Sequence, residues 1–332
     1  MLNPDLKLNE HFLTGLHERE ARDGFGEGLL EAGRADKNVV ALTADLRDSV
    51  KLDAFARAFP ERFFDVGVAE QNLVTVAAGL AVAGKIPFAA SYAVFSPGRN
   101  WEQIRTTIAY NGANVKLVGS HAGLATGPDG ATHQMTEDIA LMRALPNMKV
   151  YSPCDALEAK RITEAMAKTE GPAYMRLSRD ATPVMTTGET PFEFGKMQAF
   201  RVSKKPACAV FATGPILAEA LVAADMLEEE GIQVEVLNVH CIKPLDERAV
   251  VSAAKKAGSV VSVEDHQIAG GLGSAIAEVL ARKLPVPMEF VGVKDVFGES
   301  GKPKELWKKY GLARADIATA VKKAVERKEN AW

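Results

Sequence analysis

Glu70 is a carboxylate among apolar neighbours. It stands at the mouth of AEQNLVTVAAGLAVAG (69–84), a stretch otherwise dominated by Ala, Val, Leu and Gly. An acid in the first turn of a helix gains about 0.3–1 kcal/mol from the helix dipole, so position alone does not make Glu70 functional. Two aromatic residues shift the balance. Tyr92 and Phe95 stand at the end of the next strand-like run, IPFAASY (86–92), Tyr92 as its last residue. Strand ends are where open α/β sheets place ligands. A carboxylate beside an aromatic shelf can hold a flat heterocycle by stacking plus one strong hydrogen bond, and can exchange a proton with a ring nitrogen.

A second group of chemistry-bearing residues lies in SHAGLATGPDGATHQ. His121 and His133 flank Asp129, and they are two of the six histidines in the chain. Such a loop can serve only to cap helices and satisfy backbone groups. Its spacings of eight and four residues are weak evidence for a metal site. Cys154, Cys208 and Cys241 are widely spaced, odd in number and form no C-x-x-C pair, so buried free thiols in a reducing cytoplasm are expected. Gly270-Gly271-Leu272-Gly273 before a helix lacks the third glycine of a dinucleotide fingerprint, because Ile276 stands there; close packing is the expected role.

The elements that must position these groups alternate regularly. Strand-like NVVALTAD (38–45) precedes the helix at 69–84. A strand over 86–92, a helix over 98–112, a strand over 114–121, a loop over 123–134 and a helix over 135–146 follow. MKVYSP, DALEAKRITEAMAKTEG and PAYMRLSR repeat strand, helix, strand. This rhythm predicts an α/β fold with a doubly wound, mostly parallel sheet. Periodicity is lost over 180–196, where Thr, Pro and Gly accumulate, and a smaller α/β unit follows. Two domains are expected, 15–183 and 197–328, with 184–196 as linker; residues 1–14 have no assignment. The chain has 332 residues, 47% apolar and 25% charged, with net charge −3. That balance gives no support for a nucleic-acid partner. No apolar run reaches the length of a membrane span, and the N-terminus lacks the basic and apolar regions of a signal peptide.

Several separated motifs together resemble the transketolase family. FFDVGVAEQNLVTVAAGLAVAGKIPF, SYAVFSPGRNWEQIR and GPDGATHQMTEDIALMRALPNMKVYSPCD are similar to its pyrimidine-binding domain. EDHQIAGGLGSAIAEVL and GVKDVFGESGKPKELWKKYGL are similar to its C-terminal domain. The resemblance covers roughly residues 15–328. The chain is about half as long as a full transketolase and lacks the Gly-Asp-Gly…Asn signature that binds diphosphate and metal in the family's first domain. Pro128-Asp129-Gly130 is a similar triplet, but it stands in another context. The resemblance therefore implies the C-terminal subunit of a split transketolase. A partner subunit would carry the Gly-Asp-Gly…Asn motif and hold most of the Mg²⁺ or other divalent cation. An α2β2 heterotetramer with self-association of this chain is implied.

The resemblance also implies roles. Glu70 would contact the aminopyrimidine ring of thiamine diphosphate and manage the proton on which cofactor activation depends. Tyr92 and Phe95 would flank that ring, and Asp45 and Leu46 would lie against the cofactor. His121 and His133 would touch the donor's hydroxyl and carbonyl oxygens, and Asp129 a sugar hydroxyl. Arg22, Ser49 and Arg179 match phosphate-binding positions, a use that suits guanidinium forks. The implied activity is transfer of a two-carbon ketol unit between phosphosugars of pentose phosphate metabolism. A deoxyxylulose-phosphate-synthase-like enzyme and the β chain of a 2-oxo-acid dehydrogenase share the acid and the domain pair, but His121 in GSHAG favours transketolase. A non-catalytic binding protein has no physical reason to keep Glu70 at an apolar helix mouth.

Overall fold

A computed structural model describes residues 1–12 and 17–330. Residue 15, the expected start of the first domain, lies outside the described residues. The first half runs β1 (Glu18–Glu20), α1 (Ala21–Ala35), β2 (Val39–Thr43), α2 (Asp53–Ala58), β3 (Phe63–Asp65), α3 (Glu70–Val82) and β4 (Ile86–Tyr92). It continues through α4 (Trp101–Gln103, extended by a π-helical turn Ile104–Ala109), β5 (Lys116–Ser120), α5 (Asp138–Ala144), β6 (Lys149–Tyr151), α6 (Ala156–Ala167), β7 (Ala173–Arg176) and β8 (Ala181–Pro183). The second half holds β9 (Gln198–Arg201), β10 (Cys208–Ala212), α7 (Leu217–Glu229), β11 (Val234–Asn238), β12 (Cys241–Lys243) and α8 (Glu247–Ala257). It ends with β13 (Val260–Gln267), α9 (Leu272–Lys283), β14 (Met288–Val293), α10 (Pro303–Lys309) and α11 (Arg314–Glu329).

The larger sheet has the order β12-β6-β7-β5-β4-β2-β3, and every pairing is parallel except β12 with β6. The smaller sheet, β14-β13-β10-β11-β9, is parallel except at β9. This is the expected α/β architecture in two units. One apolar cluster is shared between them. It includes Leu42, Leu73 and Leu117 around the larger sheet and Phe211, Val250 and Leu272 around the smaller.

The edges of several elements differ from expectation. The helix expected over 98–112 begins at Trp101, and the one expected over 135–146 shortens to α5. Met135 instead bridges Ala122 and accepts a hydrogen bond from the Gly123 N–H at 2.7 Å, which closes the loop between them. That loop contains a 3₁₀ turn, Leu124–Asp129. Within the aperiodic 180–196 stretch, β8 pairs antiparallel with β1. The unassigned N-terminal residues rest on the second half: Leu2 bridges Arg201, and Leu6 and Phe12 join its apolar cluster.

Helix α1 lies unusually close to α6. A Cβ on Gly24 would fall 1.7 Å from the Ala156 carbonyl oxygen, and one on Gly28 2.6 Å from that of Lys160. Backbone atoms cannot swing aside, so Gly24→Ala is expected to lower stability by about 1–3 kcal/mol or more. Gly79 on α3 has open space around it. Gly79→Ala should be neutral or stabilising by up to about 1 kcal/mol. Urea denaturation of this chain, comparing the two variants, checks both expectations.

Candidate active site

The predicted residues gather at the carboxyl ends of the parallel strands. Asp45 and Leu46 follow β2, Tyr92 ends β4, His121 follows β5 and Arg179 lies just after β7. Strands β2 and β4 are neighbours although β3 separates them in sequence, so the order of winding reverses between them. Such a reversal opens a crevice at the strand ends. Asp45 (φ +60°) and Tyr92 flank it. The Asp45 N–H donates to Asp65 Oδ1 at 2.9 Å, and Leu46 packs with Tyr92 on the cluster beneath.

Glu70 opens α3 and is only 6% exposed. Its backbone carbonyl accepts from Asn100 Nδ2 at 2.7 Å, and the same amide donates to Ser96 Oγ at 3.1 Å. Its Oε1 meets Arg99 Nη1 at 3.2 Å. The Arg99 guanidinium also lies 4.2 Å over the Phe95 ring. Asn100 and Arg99 were not singled out from sequence. Their signal was their place in SPGRN, directly after the aromatic pair.

Four rings form a continuous row. Phe95 stacks on Tyr92 at 5.6 Å, Tyr92 stacks on His121 at 3.7 Å, and Phe95 meets His133 edge-on at 5.5 Å. Burial pushes His121 down to about 3, with Arg22, Arg179 and His133 adding repulsion. The ring is therefore neutral near pH 7, with one nitrogen donating and the other accepting. Its Nδ1 lies 2.9 Å from Ser120 Oγ.

The cations sit beside His121. Arg22 is buried at the start of α1, pairs with Glu20 at 2.9 Å and donates to the Ser49 carbonyl at 2.5 Å. The structure thus joins Ser49 to Arg22 through its backbone. Among the described residues, the buried Nε–H of Arg22 has no acceptor. Arg179 donates to the Thr126 carbonyl at 3.0 Å and lies 3.8 Å from Asp129. Antiparallel pairing of β1 with β8 brings the segments carrying Arg22 and Arg179 together. Burial raises Asp180, while Arg179 and Arg22 oppose the shift.

The glycine cluster before α9 is filled from within. The Leu272 and Gly273 N–H groups donate to Glu264 at 2.7 and 2.8 Å. A Cβ on Gly271 would lie 2.0 Å from that carboxylate. Burial raises Glu264 to about 7. Among the described residues, no group of three or more His, Cys, Asp or Glu is arranged to hold a metal ion. A buried carboxylate beside stacked rings fits the flat aminopyrimidine end of thiamine diphosphate. Arg22 and Arg179 set two guanidinium charges near His121.

Residues 17–185 match the family profile described as transketolase, pyrimidine binding domain, and 197–317 match transketolase, C-terminal domain. The chain is 41% identical over 321 residues to 6-deoxy-6-sulfo-D-fructose transketolase subunit SqwH of Clostridium sp. strain MSTE9, covering 97% of this chain and 99% of that one. It is 36% identical over 306 residues to one subunit of the apulose-4-phosphate transketolase of Phocaeicola vulgatus, covering 92% and 97%. A solved structure described as split gene transketolase, inactive beta4 tetramer, matches with a TM-score of 0.87 at 46% identity, covering 93% of this chain and 99% of that one. The chain belongs to the transketolase family, whose pyrimidine-binding and C-terminal domains it carries in that order.

Proposed function

We propose that this chain is the C-terminal subunit of a thiamine-diphosphate-dependent transketolase acting on phosphosugars. One observation carries the reading: a buried carboxylate, a row of four rings and two arginines meet at one end of one sheet. When bound, the cofactor would supply the carbanion-stabilising chemistry that ketol transfer needs. Glu70 accepts a hydrogen bond from the pyrimidine ring and holds the proton at N1′. Tyr92 and Phe95 orient the ring and exclude water, with Asp45 and Leu46 along its edge. Neutral His121 contacts donor oxygens together with His133, and Asp129 takes a sugar hydroxyl. Arg22 and Arg179 bind the anionic terminus beside Ser49.

The remaining parts come from a second chain bearing Gly-Asp-Gly…Asn, which binds the diphosphate and Mg²⁺ in an α2β2 assembly. The division 15–183, 184–196, 197–328 belongs to the same reading. The three cysteines are free and buried, which suits a reducing cytoplasm. No described helix is long and apolar enough to cross a membrane. The relatives' names include a sulfo sugar and a sugar phosphate. Both kinds of anionic group suit an arginine pair.

The test is reconstitution with the Gly-Asp-Gly…Asn chain, thiamine diphosphate and Mg²⁺. Ketol transfer from xylulose 5-phosphate to ribose 5-phosphate is expected from the pair and from neither chain alone. An active homomer of this chain would overturn the split-subunit reading. A stable, cofactor-loaded pair with no transfer would redirect the search to other ketoses.

A further inference from the structure

The second domain reaches into the sugar-contacting loop, 123–134, at three places. At its start, the Leu124 and Ala125 N–H groups donate to the Asp265 carboxylate at 2.9 and 3.1 Å. At its middle, Gly127 and Gly130 adopt positive φ against residues 300–303. A Cβ on Gly130 would lie 2.7 Å from Ser300 Oγ, and one on Gly127 would lie 3.2 Å from the Gly301 carbonyl. At its end, Gln134 Nε2 donates to the Glu299 carbonyl at 2.9 Å and to the Gly127 carbonyl at 3.2 Å. The first domain holds the root of the loop, through Thr126 Oγ1 to the His121 carbonyl at 2.7 Å and through the Ala122–Met135 bridge.

Gln134 is boxed in. It is 5% exposed, and a Cβ on Gly298 would fall 2.0 Å from its Oε1. With carbonyls on one side of its amide, only the NH₂ group can satisfy them. The backbone N–H groups of His133 and Gln134 both donate to the Gly130 carbonyl, at 3.0 and 3.1 Å. Asp129 and His133 therefore lie on a tight turn whose far end the buried Gln134 amide fastens to the second domain.

We infer that the second domain positions the donor-sugar contacts, and that Gln134, held by the Gly298–Gly301 strap, is the positioning residue. This rests on the reading that Asp129 and His133 touch the donor. Gln134→Ala removes the fastening. Gly298→Ala sets a methyl group against the Gln134 amide, so the amide and the strap cannot keep their contact.

In the reconstituted pair, with xylulose 5-phosphate as donor, both variants should raise the donor KM roughly tenfold, as expected when contacts are misplaced by less than an ångström. The dissociation constant of thiamine diphosphate should stay within about twofold of wild type, because Glu70, Tyr92 and Phe95 stand on α3, on β4 and just after it, outside both the loop and the strap. Hydrogen exchange, read on this chain, should accelerate at amides 127–134 and stay unchanged in α3. An unchanged donor KM in both variants overturns the inference. So does a KM rise matched by an equal loss of cofactor affinity, the mark of general disruption. His133→Ala and Asp129→Asn separate the two readings. If they leave the donor KM unchanged, the donor assignment fails and takes the strap with it. If they raise it while the Gln134 and Gly298 variants do not, the strap alone fails.

Discussion

Glu70→Gln in the reconstituted pair is expected to lower kcat by a factor of about 10²–10⁴, the range for a lost general acid–base group. Gln keeps the size and one acceptor oxygen but cannot take up the proton. The backbone should not move, because Asn100 holds the Glu70 carbonyl rather than its side chain. The Tyr92–Phe95 shelf is also untouched. Arg99 loses its carboxylate, but its side chain is about half exposed and water can replace that contact. Steady-state kinetics paired with calorimetric titration of thiamine diphosphate decide the matter. A large loss of kcat with the cofactor still bound is the expected pattern. Wild-type turnover in the Gln variant would remove Glu70 from the proton-handling role.

Arg176→Met should destabilise the chain by about 3–5 kcal/mol, the cost of breaking a buried ion pair from one side. Arg176 Nε donates to both Asp138 oxygens, at 3.1 and 3.0 Å, and its Nη2 donates to the Asp265 carbonyl at 2.6 Å. Tyr174 adds a hydrogen bond to Asp138 at 2.7 Å. Asp138 and Arg176 are both buried, so removing the cation leaves a carboxylate with no water to stabilise it. The damage should spread, because Asp265 also fastens Leu124 and Ala125. Burial raises Asp265, with Arg176 opposing that shift. Urea denaturation measures the loss. Adding Asp138→Asn to the Arg176 variant should recover part of it, since the orphaned charge is gone. A loss below about 1 kcal/mol would mean that Arg176 does not tie the two domains together.

What sequence could reveal tracks how local each signal is. Helix α3 and its glutamate were legible because an apolar run with a lone acid is conspicuous. The βα rhythm placed Tyr92 and His121 at strand ends without any structure. The cation positions Arg22 and Arg179 came from family resemblance, since in sequence each is an ordinary charge near an element's end. Arg99 was invisible for the same reason: nothing along the chain says that it folds back onto Glu70. Nothing along the chain marks Arg176 and Asp265 as buried, because pairing between residues 89 positions apart leaves no periodic trace. Strand β12 is three residues long and finds its partner only through tertiary contact, so no window of sequence could announce it.

That short strand has a mechanical consequence. Cys241–Lys243 comes from the second half of the chain yet forms the outer edge of the first sheet. The Lys243 ammonium group reaches the Arg143 carbonyl at 2.8 Å, adding a stitch beside it. The connecting segment is therefore not the only thing tying the halves together. A protease nick within 184–196 should leave one particle that elutes as before on a sizing column and separates into fragments only in denaturant. The same stitching opposes hinge motion between the halves. Any successful graft of this site onto another scaffold must then carry both halves as one cassette.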